Sequence, residues 1–317
     1  MNTFNWKTYP FIDYLDVEKH EVNKLPKGVT ISTITCSCKP GLGTNVNLDN
    51  IYKYLCLNSD DILKIKVDNT KIKTLIPAKP KKRRTKKTLL SKKKTTATRH
   101  FYHQITIVVR VNEGDYKDLN DVEKINIKVF RNGSLQMSGV NQIEYANRAI
   151  NKLIYRLKQS KGKMVEDKIE QINFVEEPSK LCIGAFKVDM INTNYEVNMQ
   201  IDRDKLYNLL LKMKVRASFE PCVRACVIIK YTPKKNNPLE KDISIFVFQK
   251  GNIIITGAKS REHVISSYNY INDILVDHSY EINKNDEKVK DDEIMKLYKE
   301  IKEEYAHKME ELLTIEY

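Results

Sequence analysis

An internal repeat constrains this chain more than any other feature. Lys124 to Gly139 reads as an alternating strand, a turn holding Gly133, a second strand, then Ser138-Gly139. Asp242 to Gly257 repeats the pattern 118 residues later, with Gly251 in the turn and Thr256-Gly257 at the end. An amphipathic helix follows each copy. Ile143, Ala146, Ile150, Leu153 and Leu157 mark one apolar face, and Val264, Tyr268, Ile271 and Leu275 mark the other. Glu144 and Glu262 sit in the first turns, where a helix favours negative charge. Earlier elements also correspond. In the first half Val29–Cys38 alternates, Leu48–Leu57 is helical, and Phe101–Val111 is a long strand. In the second, Leu181–Met190 leads into Tyr195–Ile201, then come a helix at Asp204–Met213 and a strand at Ala225–Tyr231. Two such units predict an α+β fold: a pseudo-twofold pair of antiparallel sheet halves backed by helices.

The repeat sets the expected boundaries. Residues 1–25 form an N-terminal arm, 26–158 the first repeat, 159–178 a charged linker, 179–277 the second repeat, and 278–317 an acidic extension. A basic insertion occupies about 60–97. In the extension, Ile294, Leu297, Ile301, Tyr305, Met309 and Leu312 follow a helical stripe suited to docking on the body or on a partner. The net charge of +14 is uneven: Lys79 to Lys94 carries ten Lys and Arg and no acid, while His278 to Tyr317 carries seven Lys and twelve Asp or Glu. A basic run of this kind serves polyanion binding or nuclear import, and it is equally a solvated loop; the sequence leaves both open.

Several function classes are excluded. No stretch of 18 or more apolar residues could cross a membrane as a helix, and Met1 to Asp13 lacks the apolar core of a signal peptide. Cys36-x-Cys38 has strand spacing and Cys222-x-x-x-Cys226 stands alone, so no zinc site is expected and the thiols should be reduced and mostly buried. Phosphate-binding Gly loops, a Gly-x-Ser-x-Gly elbow and His-Glu-x-x-His are all missing. A non-enzymatic protein is expected, without cofactor, metal or small-molecule substrate.

Ile245-Phe-Val-Phe-Gln-Lys-Gly-Asn-Ile-Ile-Ile-Thr-Gly-Ala-Lys259 resembles the second-repeat core of the TATA-box-binding protein family. Phe186-Lys-Val-Asp-Met-Ile with Glu196-Val197, the Phe219-Glu-Pro221 loop, and Ile31-Ser-Thr-Ile-Thr35 resemble its other landmarks. The resemblance covers about 26–277 without the insertion. It implies a saddle whose concave sheet face grips the minor groove of DNA and whose convex face carries the helices. Richness in Asn, Lys, Ile and Tyr fits an A·T-rich genome, so a divergent, viral member is the expectation.

The resemblance also assigns roles. Phe130 and Phe248 match wedges that enter base steps, and Phe101 matches the partner wedge of the first repeat. Arg224 stands where the second partner would be, and Phe219 is the candidate to replace it. Ile31, Thr33, Ser138, Ile254 and Thr256 match floor positions, and Phe246 shares the parity of Phe248. The family's two base-reading Asn positions hold Val29 and Met190, so Asn192 and Asn194, on the same strand face as Met190, are the candidate replacements; a turn is the other reading of that pair. Lys128 and Gln136 are polar where the family is apolar. Lys259 matches a phosphate contact and Glu220 a contact to a factor IIB-like partner. The implied function is transcription initiation: bending A·T-rich double-stranded DNA, then recruiting a factor IIB-like protein and RNA polymerase, in a nucleus or viral factory or packaged in a virion. Two alternatives stay open: a protein-interaction scaffold or competitor that has lost TATA reading, and a general polyanion or RNA binder driven by residues 79–94.

Overall fold

The computed structural model describes residues 5–284 apart from 69, 79–102, 115, 117, 166–167 and 234–240. A one-turn helix, α1 (Val17–His20), precedes the first half, which runs β1 (Thr30–Cys38), α2 (Leu48–Tyr54), β2 (Ile62–Lys66), β3 (Ile72–Thr74), β4 (Gln104–Arg110), β5 (Lys124–Phe130), β6 (Leu135–Val140) and α3 (Ile143–Lys158). A hairpin of β7 (Lys161–Val165) and β8 (Lys168–Ile172) leads to the second half. There follow β9 (Phe186–Glu196), α4 (Arg203–Lys212), β10 (Ala217–Ser218), β11 (Cys226–Tyr231), β12 (Ile243–Phe248), β13 (Asn252–Ala258), α5 (Arg261–Asp277) and α6 (Ser279–Ile282).

Eleven described strands form one open antiparallel sheet, in the order β10-β11-β12-β13-β9-β1-β6-β5-β4-β2-β3. The order is symmetric about the central β9–β1 pair, apart from the extra edge strand β3 in the first half. This is the pseudo-twofold α+β arrangement that the repeat predicts, and it fits the saddle that the resemblance implies. Alternation explains which side is buried. Ile125, Ile127 and Val129 of β5, and Ile243, Ile245 and Val247 of β12, lie in the core with the helices. Their intervening neighbours are only half-buried. Burying each such side chain stabilises the fold by about 1.5–3 kcal/mol. The turn glycines are fixed by backbone geometry. Gly251 has φ +83°, and a Cβ there would stand 2.2 Å from the Val197 carbonyl oxygen. Gly133, its counterpart, has φ +79° and the Thr44 carbonyl oxygen at 2.5 Å from such a Cβ.

Four features depart from the sequence expectation. Strands β2 and β3 fall inside the stretch read as the start of the insertion, because Ile62 and Ile65 pack into the core while Lys64 and Lys66 stay half-buried on the other side. The second half opens with one continuous strand, β9, held on both sides by β1 and β13. The charged linker contains the β7–β8 hairpin. The N-terminal arm is docked: Asn147 and Asn151 of α3 clasp its backbone. The Ile12 amide donates to Asn151 Oδ1 (3.0 Å) and the Tyr14 amide to Asn147 Oδ1 (3.0 Å), while both side-chain amides donate back to the Ile12 carbonyl. Trp6 is buried edge-on to Tyr155 at 5.2 Å. Residues 79–94 and the helical stripe 294–312 lie outside the described residues.

Beneath Trp6 is a cluster of charges. The Lys152 side chain is fully buried. Its Nζ donates to the Asp60 carbonyl at 2.9 Å and lies 5.2 Å from the Trp6 ring centroid. Asp61, also buried, pairs with Arg156 at 3.1 Å. Burial is the leading cause that lowers the Lys152 pKa to about 8, against the opposing pull of Asp61.

Candidate nucleic-acid interface

Strand register lays out the open face row by row, because residues directly opposite each other point to the same side. In the second half Phe246 pairs with Ile228 on β11 and with Ile254 on β13. Phe248 pairs with Cys226, and Ser244 with Lys230 and Thr256. In the first half Lys128 pairs with Thr106 on β4 and Gln136 on β6, Phe130 with Gln104, and Asn126 with Val108 and Ser138. The register therefore places Phe130, Phe246, Phe248, Ser138, Ile254 and Thr256 on one face.

Phe130 and Phe248 close their strands at equivalent ends of the sheet, and each is half-buried. Each borders an open cleft. The cleft at Phe130, about 570 Å³, is lined by Asn47, His103, Arg131 and Glu176 among others. The cleft at Phe248, about 540 Å³, is lined by Asn194, Arg203, Ala225 and Ile254 among others. A large ring half-exposed above a cleft can leave the sheet with little repacking, which a fully packed core ring cannot.

The centre of the face carries the asparagines. Asn192 and Asn194 lie within β9, not in a turn. Thr256 Oγ1 donates to Asn192 Oδ1 at 2.5 Å, and Thr30 Oγ1 and Ser32 Oγ each donate to Asn194 Oδ1 at 2.8 Å. Thr33 lies opposite Asn192 and belongs to the same face. Ile31 does not. It pairs with the fully buried Thr193 and packs against the core, because the β1–β9 register slips between Ile31 and Thr33. The bulge reverses the side to which Ile31 points.

The loop before β11 also rearranges one expectation. Phe219 packs against Tyr207 of α4, with ring centroids 6.2 Å apart, and the Arg203 guanidinium lies 5.3 Å from its ring. The ring is thus held on the helix side and does not stand in for a missing wedge. Arg224 is exposed in the turn whose amides at Val223 and Arg224 donate to the Glu220 carbonyl. Arg224 and Arg203 act electrostatically on the Cys226 thiol, opposing the upward shift that burial imposes. Both cations therefore lie near the Phe248 end. Glu220 is exposed on that same outer loop, and Lys259 is half-buried just before α5. Phe101 lies outside the described residues.

Arg203, Thr30, Ser32, Thr106 and Ile228 were not singled out from the sequence. Carrying the parity of Phe248 and Phe130 across to the neighbouring strands would have found Thr106 and Ile228. The others depend on loop and bulge geometry that has no sequence period. Among the described residues no group of His, Cys, Asp and Glu could hold a metal ion, and no helix is long and apolar enough to cross a membrane. All six cysteines are free thiols, but Cys56, Cys182 and Cys222 are exposed rather than buried.

Residues 185–278 match the family described as "Transcription factor TFIID (or TATA-binding protein, TBP)". A protein of Acanthamoeba polyphaga mimivirus named "TATA-box-binding protein-like" is 38% identical over 261 residues, which are 78% of this chain and 65% of that protein. The second half of the chain thus matches the TATA-box-binding protein family model, and most of the chain is similar to a relative that bears the family's name. The chain spans less than two-thirds of the length of the mimivirus relative. The solved structure of Methanococcus jannaschii TBP also aligns, at 17% identity and a TM-score of 0.44, over 78% of this chain and 98% of that one.

Proposed function

We propose that this protein initiates transcription by laying its open sheet face in the minor groove of A·T-rich duplex DNA and bending it, with Phe130 and Phe248 as wedges. One observation carries the reading: two half-exposed rings stand at pseudo-equivalent ends of one sheet face, each beside a cleft. A wedge that partly unstacks a base step costs a few kcal/mol, offset by the wider contact that an opened groove allows. Arg203 and Arg224 add positive charge at the Phe248 end, where DNA phosphates would pass. Recruitment of a factor IIB-like protein through the Glu220 loop, and of a polymerase after it, belongs to the same proposal, as does action in a nucleus or viral factory.

The test is energy transfer between dyes at the two ends of a short duplex, with A·T-rich and G·C-rich sequences compared at near-physiological salt. A shortened end-to-end distance on A·T-rich DNA, lost in the Phe130→Ala, Phe248→Ala double variant, is the expected result. Binding without bending sinks the wedge mechanism.

A second reading has its own support. The polar row Thr106–Lys128–Gln136 crosses a face that a minor-groove binder would keep apolar, as suits a protein-interaction scaffold. Absence of duplex binding by the folded protein would favour it. A binder driven by residues 79–94 would instead lose all affinity when that segment is deleted, whereas a saddle would keep bending DNA.

A further inference from the structure

We propose that the two halves of the open face read DNA unequally, the second half demanding A·T pairs and the first tolerating G·C. This rests on the DNA-binding reading above and specifies its site. In the minor groove A·T pairs of either orientation present only acceptors, while G·C adds one donor, the guanine 2-amino group. A floor rejects G·C when it offers that donor no acceptor.

The middle row of the second half is such a floor. That row, Ile228–Phe246–Ile254, is hydrocarbon across three strands. Beside it, Thr256 Oγ1 donates to Asn192 Oδ1, and Thr30 Oγ1 and Ser32 Oγ donate to Asn194 Oδ1, which holds both amide groups in one orientation. In that orientation their NH2 groups remain to donate to adenine N3 and thymine O2. A guanine amino group laid on this row would lose water and meet hydrocarbon. Leaving a buried polar group unpaired weakens binding by about five- to hundredfold.

The first half differs at the equivalent places. Its middle row is Thr106–Lys128–Gln136. The Thr hydroxyl and the Gln carbonyl can each accept from a guanine amino group, and Lys128 can donate to the acceptors beside it. Bound DNA is therefore read in one direction: a stringent A·T run under the second half, then a permissive stretch under the first.

The experiment is fluorescence anisotropy of the full chain on an all-A·T duplex, with a single G·C pair placed at each position in turn. The same positions are repeated with inosine·C, which lacks only the 2-amino group. G·C should weaken binding about tenfold or more along one contiguous run and under about threefold elsewhere. Inosine·C should restore affinity in the sensitive run. Phe246→Lys with Ile254→Gln should abolish that sensitivity, and Lys128→Phe with Gln136→Ile should extend it over the whole site. Equal penalties in both halves, or a sensitive run unmoved by both pairs of substitutions, overturn the inference while leaving DNA binding intact. No binding of any duplex by folded wild type overturns both.

Discussion

Thr106–Lys128–Gln136 and Ile228–Phe246–Ile254 occupy equivalent places in the two halves and have opposite chemistry. One residue further along the same strands the contrast vanishes. Ile127, Val129, Leu135 and Met137 of the first half, and Ile245, Val247, Ile253 and Ile255 of the second, are all apolar and all buried. In β5, β6, β12 and β13 the core takes only every second side chain. The other side is free to diverge, and in this protein it has diverged in one half. The buried register carries the architecture common to both halves, and the open register carries what distinguishes them.

The sharpest way to break that division is to substitute adjacent residues. Ile245→Ala should cost about 2–5 kcal/mol of stability, as for other buried aliphatic side chains. Phe246→Lys, one position away, should change stability by less than about 1 kcal/mol while altering DNA affinity. Urea denaturation and duplex titration of the two variants would test this. Comparable stability losses would mean that the open face is part of the core.

A slightly smaller effect separates the halves by pH. The folded chain binds the Lys152 proton with a pKa of about 8, against 10.5 for an ordinary lysine. Between those values the unfolded state holds more protons, so stability rises with pH across that window and is flat below it. The span corresponds to about 3 kcal/mol. Urea midpoints of wild type and Lys152→Met from pH 7 to 10.5 should diverge, wild type gaining on the variant as pH rises. Titrations of tyrosines and cysteines common to both cancel in the difference.

Backbone strain should treat the halves alike. Gly133→Ala and Gly251→Ala each place a Cβ against a carbonyl oxygen at positive φ, and each should cost about 1–3 kcal/mol. A large difference in their melting temperatures would show that one hairpin is more pliable. The smallest effect belongs to the exposed Glu144–Arg148 pair on α3. Glu144→Ala should lower stability by no more than about 0.5 kcal/mol, and less in high salt.

The repeat, the sheet class and the sidedness of β5, β6, β12 and β13 were legible in the sequence because alternation is a local signal with a fixed period. Phe130 and Phe248 needed the resemblance as well, since a strand phenylalanine by itself is more often core. Ile31 was misplaced because one slip in register reverses parity, and nothing in Thr30-Ile-Ser-Thr33 announces it. Phe219 went to α4 because a loop ring settles on whatever apolar surface its loop reaches. The arm was recognised only as an arm, since its partners on α3 lie more than a hundred residues away.

That separation has a consequence in time. Ile12 and Tyr14 bind asparagines that lie 139 and 133 residues further along the chain. A ribosome adding roughly 5–20 residues per second needs on the order of ten seconds to cover that distance. For that interval Trp6, Phe11 and Leu15 have emerged before the helix that shelters them. The first half is thus completed by its own beginning. Its aromatic latch lacks its partner helix until α3 has been made.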